Sequence, residues 1–151
     1  MEAATLTGQE LFDLIYQGES EPQDSRFIRF DEGGVFKYFN LSHNLINFNR
    51  KREDLFYSVV KVDNKIVAIC ELQKSPYEGS LYWIEGVSVD PAYQGKHYAS
   101  MALEETFRFA KEKSVALLGS RYSEEGLAKL KSVCHRLAEQ YGVEFRESGS
   151  N

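Results

Sequence analysis

The chain has 151 residues, of which 42% are hydrophobic and 27% charged, a composition that excludes a disordered segment and fits one compact domain. Lys and Arg number 18 against 23 Asp and Glu, a formal net charge of −5, and with a pI near 5.3 a sequence-independent grip on nucleic-acid phosphates is disfavoured. No apolar run approaches the ~20 residues that cross a bilayer, and the N-terminus lacks the basic-then-apolar layout of a secretory signal, so a cytoplasmic protein without membrane contact is expected. Residues 1–147 read as a single domain and 148–151 as a flexible tail. Cys70 and Cys134 lie in apolar-periodic segments with no C-x-x-C pair and no ligand cluster, which predicts buried thiols in a reducing compartment and no metal site.

Thr7 and Glu10 match the S/T-x-x-E capping box, with Leu6 and Leu11 as its hydrophobic staple, so a helix starts at Thr7 and runs toward Gly18. Glu19 to Ser25 is a polar loop. Phe27 to Phe30 alternates apolar and basic residues as a short strand does, Gly33-Gly34 is a turn, and Val35 to Phe48 reads as helix and loop. Leu55 to Val62, the turn Asp63-Asn64 and Ile66 to Leu72 form a hairpin. A second turn at Pro76 to Ser80 leads into a third antiparallel strand, Leu81 to Val89, which Asp90-Pro91 stops. The period then changes to helical from Tyr98 to Lys113. Val115 to Leu118 is a short buried strand, Ser123 caps a helix that keeps one face apolar to Gly142, and Val143 to Phe145 closes the sheet. The layout is α+β, with strand, helix, strand, helix in its second half.

The segment from Val87 to Ser100 carries the chemistry. A strand ends, a tight turn follows and a helix begins, so the first helical N–H groups have no partner within the helix and, beside Lys96, make a ready site for phosphate. An ordinary turn whose amides face water is the alternative.

Gln94-Gly95-Lys96-His97-Tyr98-Ala99, directly after Val87-Ser88-Val89-Asp90-Pro91, resembles the coenzyme A signature Q/R-x-x-G-x-G/A of the GNAT superfamily of N-acetyltransferases, with His97 in place of the fourth-position glycine. The resemblance spans about Leu55 to Phe145. It implies a three-layer α+β fold with a mixed, mostly antiparallel sheet flanked by helices, and acetyl-CoA as cosubstrate. It further implies that the amides of Gly95, Lys96, His97, Tyr98, Ala99 and Ser100, with Gln94, hold the diphosphate. The backbone of Val87, Ser88 and Val89 would pair with the pantetheine arm, and the thioester would lie in a cleft between the third strand and the Val115–Leu118 strand. The acceptor would be a primary amine of a small molecule or protein, and a homodimer is open.

Acetyl transfer needs a base for the ammonium group and an acid for the thiolate. Glu85, among aromatic and aliphatic neighbours, is the first choice for the base and Glu71 on the neighbouring strand the second; the alternative for each is a solvent-facing carboxylate. The family's acid tyrosine, in L-Y-x-x-x-G-F, aligns with Ala138. Tyr141 or Tyr122 are substitutes, although Tyr141 also suits the end of the apolar face, and His97 is either an acid or a phosphate contact. His135 lies beside the apolar stripe. The basic cluster Asn49 to Arg52 is either a phosphate contact or a solvated loop, and Phe36, Tyr38, Phe39 and Phe48 line an acceptor pocket or the core. The rival function is a non-enzymatic member of the fold that binds an acyl-CoA or a protein partner.

Overall fold

The computed structural model describes residues 2–16, 28–32, 35–39, 53–63, 65–119 and 124–147. The expectations at Glu19–Ser25, Gly33-Gly34, 40–52 with its basic cluster and Phe48, Asn64, Tyr122, Ser123 and the tail 148–151 lie outside them.

Eight strands and three helices follow in the order β1 (Glu2–Thr7), α1 (Gly8–Tyr16), β2 (Ile28–Glu32), β3 (Val35–Phe39), β4 (Leu55–Val62), β5 (Lys65–Lys74), β6 (Leu81–Val89), α2 (Tyr98–Lys113), β7 (Ala116–Leu118), α3 (Glu124–Tyr141) and β8 (Phe145–Arg146) among the described residues. The main sheet has the order β1-β4-β5-β6-β7-β8, and β2 with β3 makes a separate antiparallel hairpin. Pairing is antiparallel from β1 to β6 and parallel at β6–β7 and β7–β8.

Two apolar clusters sort the layers. Leu11 of α1 packs with Leu55, Tyr57, Val59 and Ile69 on one face of the sheet. On the other, Leu103 and Phe107 of α2 and Cys134 and Leu137 of α3 pack on Val60, Cys70, Leu72, Ile84 and Leu117. Burial of each large side chain contributes about 1.5–3 kcal/mol, so the second cluster fixes α2 and α3 against β5 and β6. Both cysteines are buried thiols outside any disulfide.

The capping box is present and reciprocal: the Glu10 N–H donates to Thr7 Oγ1 at 3.1 Å and the Thr7 N–H to Glu10 Oε1 at 2.9 Å. One strand carries no assignment from sequence, and two assignments need correction. Glu2–Thr7 is an edge strand, although Ala and Glu disfavour strands, because its backbone is paired along β4 from Glu2↔Lys61 to Thr7↔Phe56. Val35–Phe39 is a strand rather than the start of a helix, held by the pairing with β2. Val143 is not in β8: its N–H donates to Ala138 O at 3.0 Å and so closes the end of α3, leaving Phe145–Arg146 to pair with β7.

A candidate cofactor and acyl-transfer site at the β6–α2 turn

The site starts from a fork in the sheet. β6 pairs with β7 only at Leu81↔Ala116, Tyr82↔Leu117 and Trp83↔Leu118, so from Ile84 onward the β7-facing edge of β6 parts from its neighbour. The opposite edge stays paired with β5, with a register shift: Leu72 faces Ile84 and Glu71 faces Gly86, which leaves Glu85 as the extra residue of a bulge. The bulge also exchanges faces, so that Val87 and Val89 join Tyr82 and Ile84 on the helix side.

Beyond Val89 the chain turns by local chemistry. The buried Asp90 donates its N–H to Val67 O at 2.8 Å, and its Oδ1 accepts from the Ala92 N–H at 2.9 Å, capping a 3-10 turn at Pro91–Tyr93. Gln94 is extended, with φ −67° and ψ 152°. Gly95 then takes φ +79°, and His97, which precedes α2, takes φ 65° and ψ 17°. The first bond recorded at the helix start runs from the Met101 N–H to His97 O at 3.1 Å. A left-handed residue followed by helical ones turns successive N–H groups to one side, the geometry of an anion-binding nest at the positive end of a helix.

A pocket of about 360 Å³ opens beside this turn. Of the residues expected from sequence to hold a cofactor, Val87, Val89, Gln94, Gly95, His97, Tyr98, Ala99 and Ser100 line it. Ser88 and Lys96 do not. Ser88 stands opposite Ile69 on β5, and Lys96 is exposed with Nζ 5.8 Å from the Tyr93 ring centroid. Tyr93 and Leu130 and Val133 of α3 complete the lining and were not singled out from sequence. The Tyr93 and Tyr98 rings meet edge to face at 5.9 Å. For Leu130, membership of the apolar stripe was the available signal; which end of that stripe meets the turn depends on packing.

The bulge brings the two candidate bases together. Glu85 is half-buried just past the fork, and Glu71 is fully buried on the adjacent strand, in register with Gly86 on one side and Tyr57 on the other. Neither is a freely solvated carboxylate on the sheet surface.

Tyr141 is not brought to the turn. Val133, at the pocket, precedes it by eight residues, roughly 12 Å along α3. Its hydroxyl donates to Glu104 Oε2 at 3.1 Å and accepts from Arg108 Nη2 at 3.3 Å, tying α3 to α2. It borders a second pocket of about 430 Å³ with Ser80, Ser114 and Arg146. Ala138 packs against the core, and His135 Nε2 is 2.6 Å from Glu147 Oε1. Burial pushes the Cys70 thiol up to about 12, so it stays protonated at neutral pH and is a poor nucleophile.

A scan against protein families matches residues 11–126 to the acetyltransferase (GNAT) family. A search of curated proteins finds no match. Among solved structures, the chain is similar to an aminoglycoside acetyltransferase from an uncultured soil metagenomic sample, in complex with trehalose. That pair has 15% identity and a TM-score of 0.55 over 87% of this chain and 86% of the other. It is also similar to the ribosomal-protein-alanine N-acetyltransferase of Brucella melitensis biovar Abortus 2308, at 13% identity and a TM-score of 0.55 over 100% and 97% of the two chains. AAC(6')-Iy, solved with a CoA-containing bisubstrate analogue, gives 12% identity and a TM-score of 0.52 over 99% and 95%. These likenesses agree on the fold, and the family match covers the fork, the bulge and the turn. The chain belongs to the acetyltransferase (GNAT) family.

Proposed function

We propose that the protein transfers an acetyl group from acetyl-CoA to a primary amine of a small molecule or protein. The observation that carries the reading is the meeting of the β6–β7 fork with the left-handed turn at Gly95–His97. The residues present suit the cosubstrate: a β-carbon built on Gly95 meets nothing within 4 Å, so there is room for a ligand to approach the main chain there. In this reading the N–H groups from Gly95 to Ser100 hold the diphosphate, and the β6 edge left free of β7 pairs with the pantetheine arm.

Acetyl-CoA supplies an acyl group activated as a thioester. The chain's own residues do the rest. Glu85 takes the proton from the incoming ammonium group, directly or through one water, with Glu71 as the neighbouring carboxylate that draws the cation in. Amide donors of β6 beyond the fork polarise the acyl carbonyl. Tyr141 holds α3 against α2 rather than acting as acid, and water protonates the departing thiolate. Transfer is direct, since burial holds the Cys70 thiol protonated and Cys134 is buried in the core.

The departures at Ala138 and His97 favour a second reading, a domain that binds acyl-CoA without turnover. A thiol-release assay with acetyl-CoA and a panel of primary amines separates the two. Amine-dependent thiol supports transfer, and Glu85→Gln then lowers the rate by about 10²–10⁴-fold while cofactor binding persists. Cofactor binding with no amine-dependent thiol supports the second reading, and no binding at all refutes both.

A further inference from the structure

His97 occupies a left-handed conformation, φ 65° and ψ 17°, that disfavours any residue with a β-carbon. Its imidazole makes no capping hydrogen bond to the helix it precedes. It is exposed and lines the pocket at the turn. Neither capping nor burial therefore accounts for an imidazole at this place, whereas a ligand at the adjoining N–H groups would. We propose that His97 is a titratable contact to the cofactor's diphosphate, so that affinity for the cofactor rises as the solution is acidified. This rests on the turn being the diphosphate site.

The surroundings permit the effect. Lys96 is next in the chain, and Tyr93 and Tyr98 are the other titratable groups of the pocket lining. β6 contributes the apolar Val87 and Val89 there, and α3 the apolar Leu130 and Val133. No carboxylate is among the described residues that line the pocket, and the turn's one acid, Asp90, is buried with its Oδ1 on the Ala92 N–H. Histidine changes charge between about pH 5 and 8. An anion bound beside it favours the charged form, so binding takes up a proton and strengthens as pH falls.

The test is calorimetry at pH 6.0 and 8.0 with dephospho-CoA, which keeps the diphosphate and lacks the 3′-phosphate monoester that itself titrates near pH 6. Each titration is run in two buffers of different ionisation heat. The wild-type protein binds about fivefold tighter at pH 6.0, with a buffer-dependent heat that reports proton uptake. His97→Gln and His97→Gly, the second of which relieves the backbone, bind at both pH values with neither signature. A wild-type affinity that does not change with pH, or a His97→Gln protein that keeps the dependence, overturns the proposal. Failure of the wild type to bind at either pH refutes the diphosphate site itself, and is told apart from the other failures by the absence of any binding heat.

Discussion

Gly95 and Gly142 offer a matched pair of perturbations. Both have positive φ, +79° and +67°, and a β-carbon built on either meets nothing within 4 Å. Alanine at either site therefore brings backbone strain without a clash. A left-handed conformation costs a non-glycine residue about 1–2 kcal/mol, partly offset by about 0.4–1 kcal/mol from the stiffer unfolded chain, which leaves a loss of about 1 kcal/mol at each. For a chain of this length that lowers Tm by about 2–4 °C. The two variants then part on function. Gly142 ends α3 beside the second pocket, whereas Gly95 lies in the turn proposed to hold the diphosphate. Disturbing one N–H to a charged oxygen costs about 1.5–3 kcal/mol, so calorimetry with coenzyme A shows binding at least about tenfold weaker for Gly95→Ala and unchanged for Gly142→Ala. Equal affinities in the two variants, at equal loss of stability, would refute the assignment of the turn.

Other expectations follow from particular contacts. Thr7→Ala removes one arm of the reciprocal cap on α1 and lowers stability by about 1 kcal/mol in denaturant titrations, with coenzyme A affinity unaltered. His97→Gly relieves a left-handed residue and raises Tm by up to about 3 °C in the absence of ligand. Because the folded Cys70 thiol is raised from 9.0 to about 12, its contribution to stability is complete below pH 9. It is lost as pH climbs from 9 toward 12, since the unfolded chain sheds the proton first. Thermal melts between pH 8 and 11 check this, and Cys70→Ser flattens that part of the curve. At pH 8, iodoacetamide leaves Cys70 unlabelled in the folded protein and labels it in denaturant, read by mass spectrometry.

Much of the fold is legible in the sequence where local and tertiary preferences agree. The β4–β5–β6 meander announces itself by β-branched runs broken at Asp63 and Pro76, and α2 by its period; both have the expected bounds to within two residues. Edge strand β1 is not legible, since Ala3 and Ala4 have little strand preference and only pairing with β4 holds them extended. The site divides in the same way. The turn motif marks most of the pocket lining, because consecutive residues share one place. The Glu71↔Gly86 register depends on the bulge at Glu85, and an insertion of one residue in a ladder has no signature in a single strand. The position of Tyr141 depends on the length of α3: eight residues past Val133, an apolar stripe that begins at the pocket has left it.

Main-chain donors just past the end of β6 are proposed to hold a diphosphate, and a crystal structure with coenzyme A is the decisive measurement. The predicted result has diphosphate oxygens within about 3 Å of N–H groups between Gly95 and Ser100, with the pantetheine arm lying along the free edge of Val87–Val89. A diphosphate bound elsewhere on the molecule, with these amides facing solvent, would contradict it.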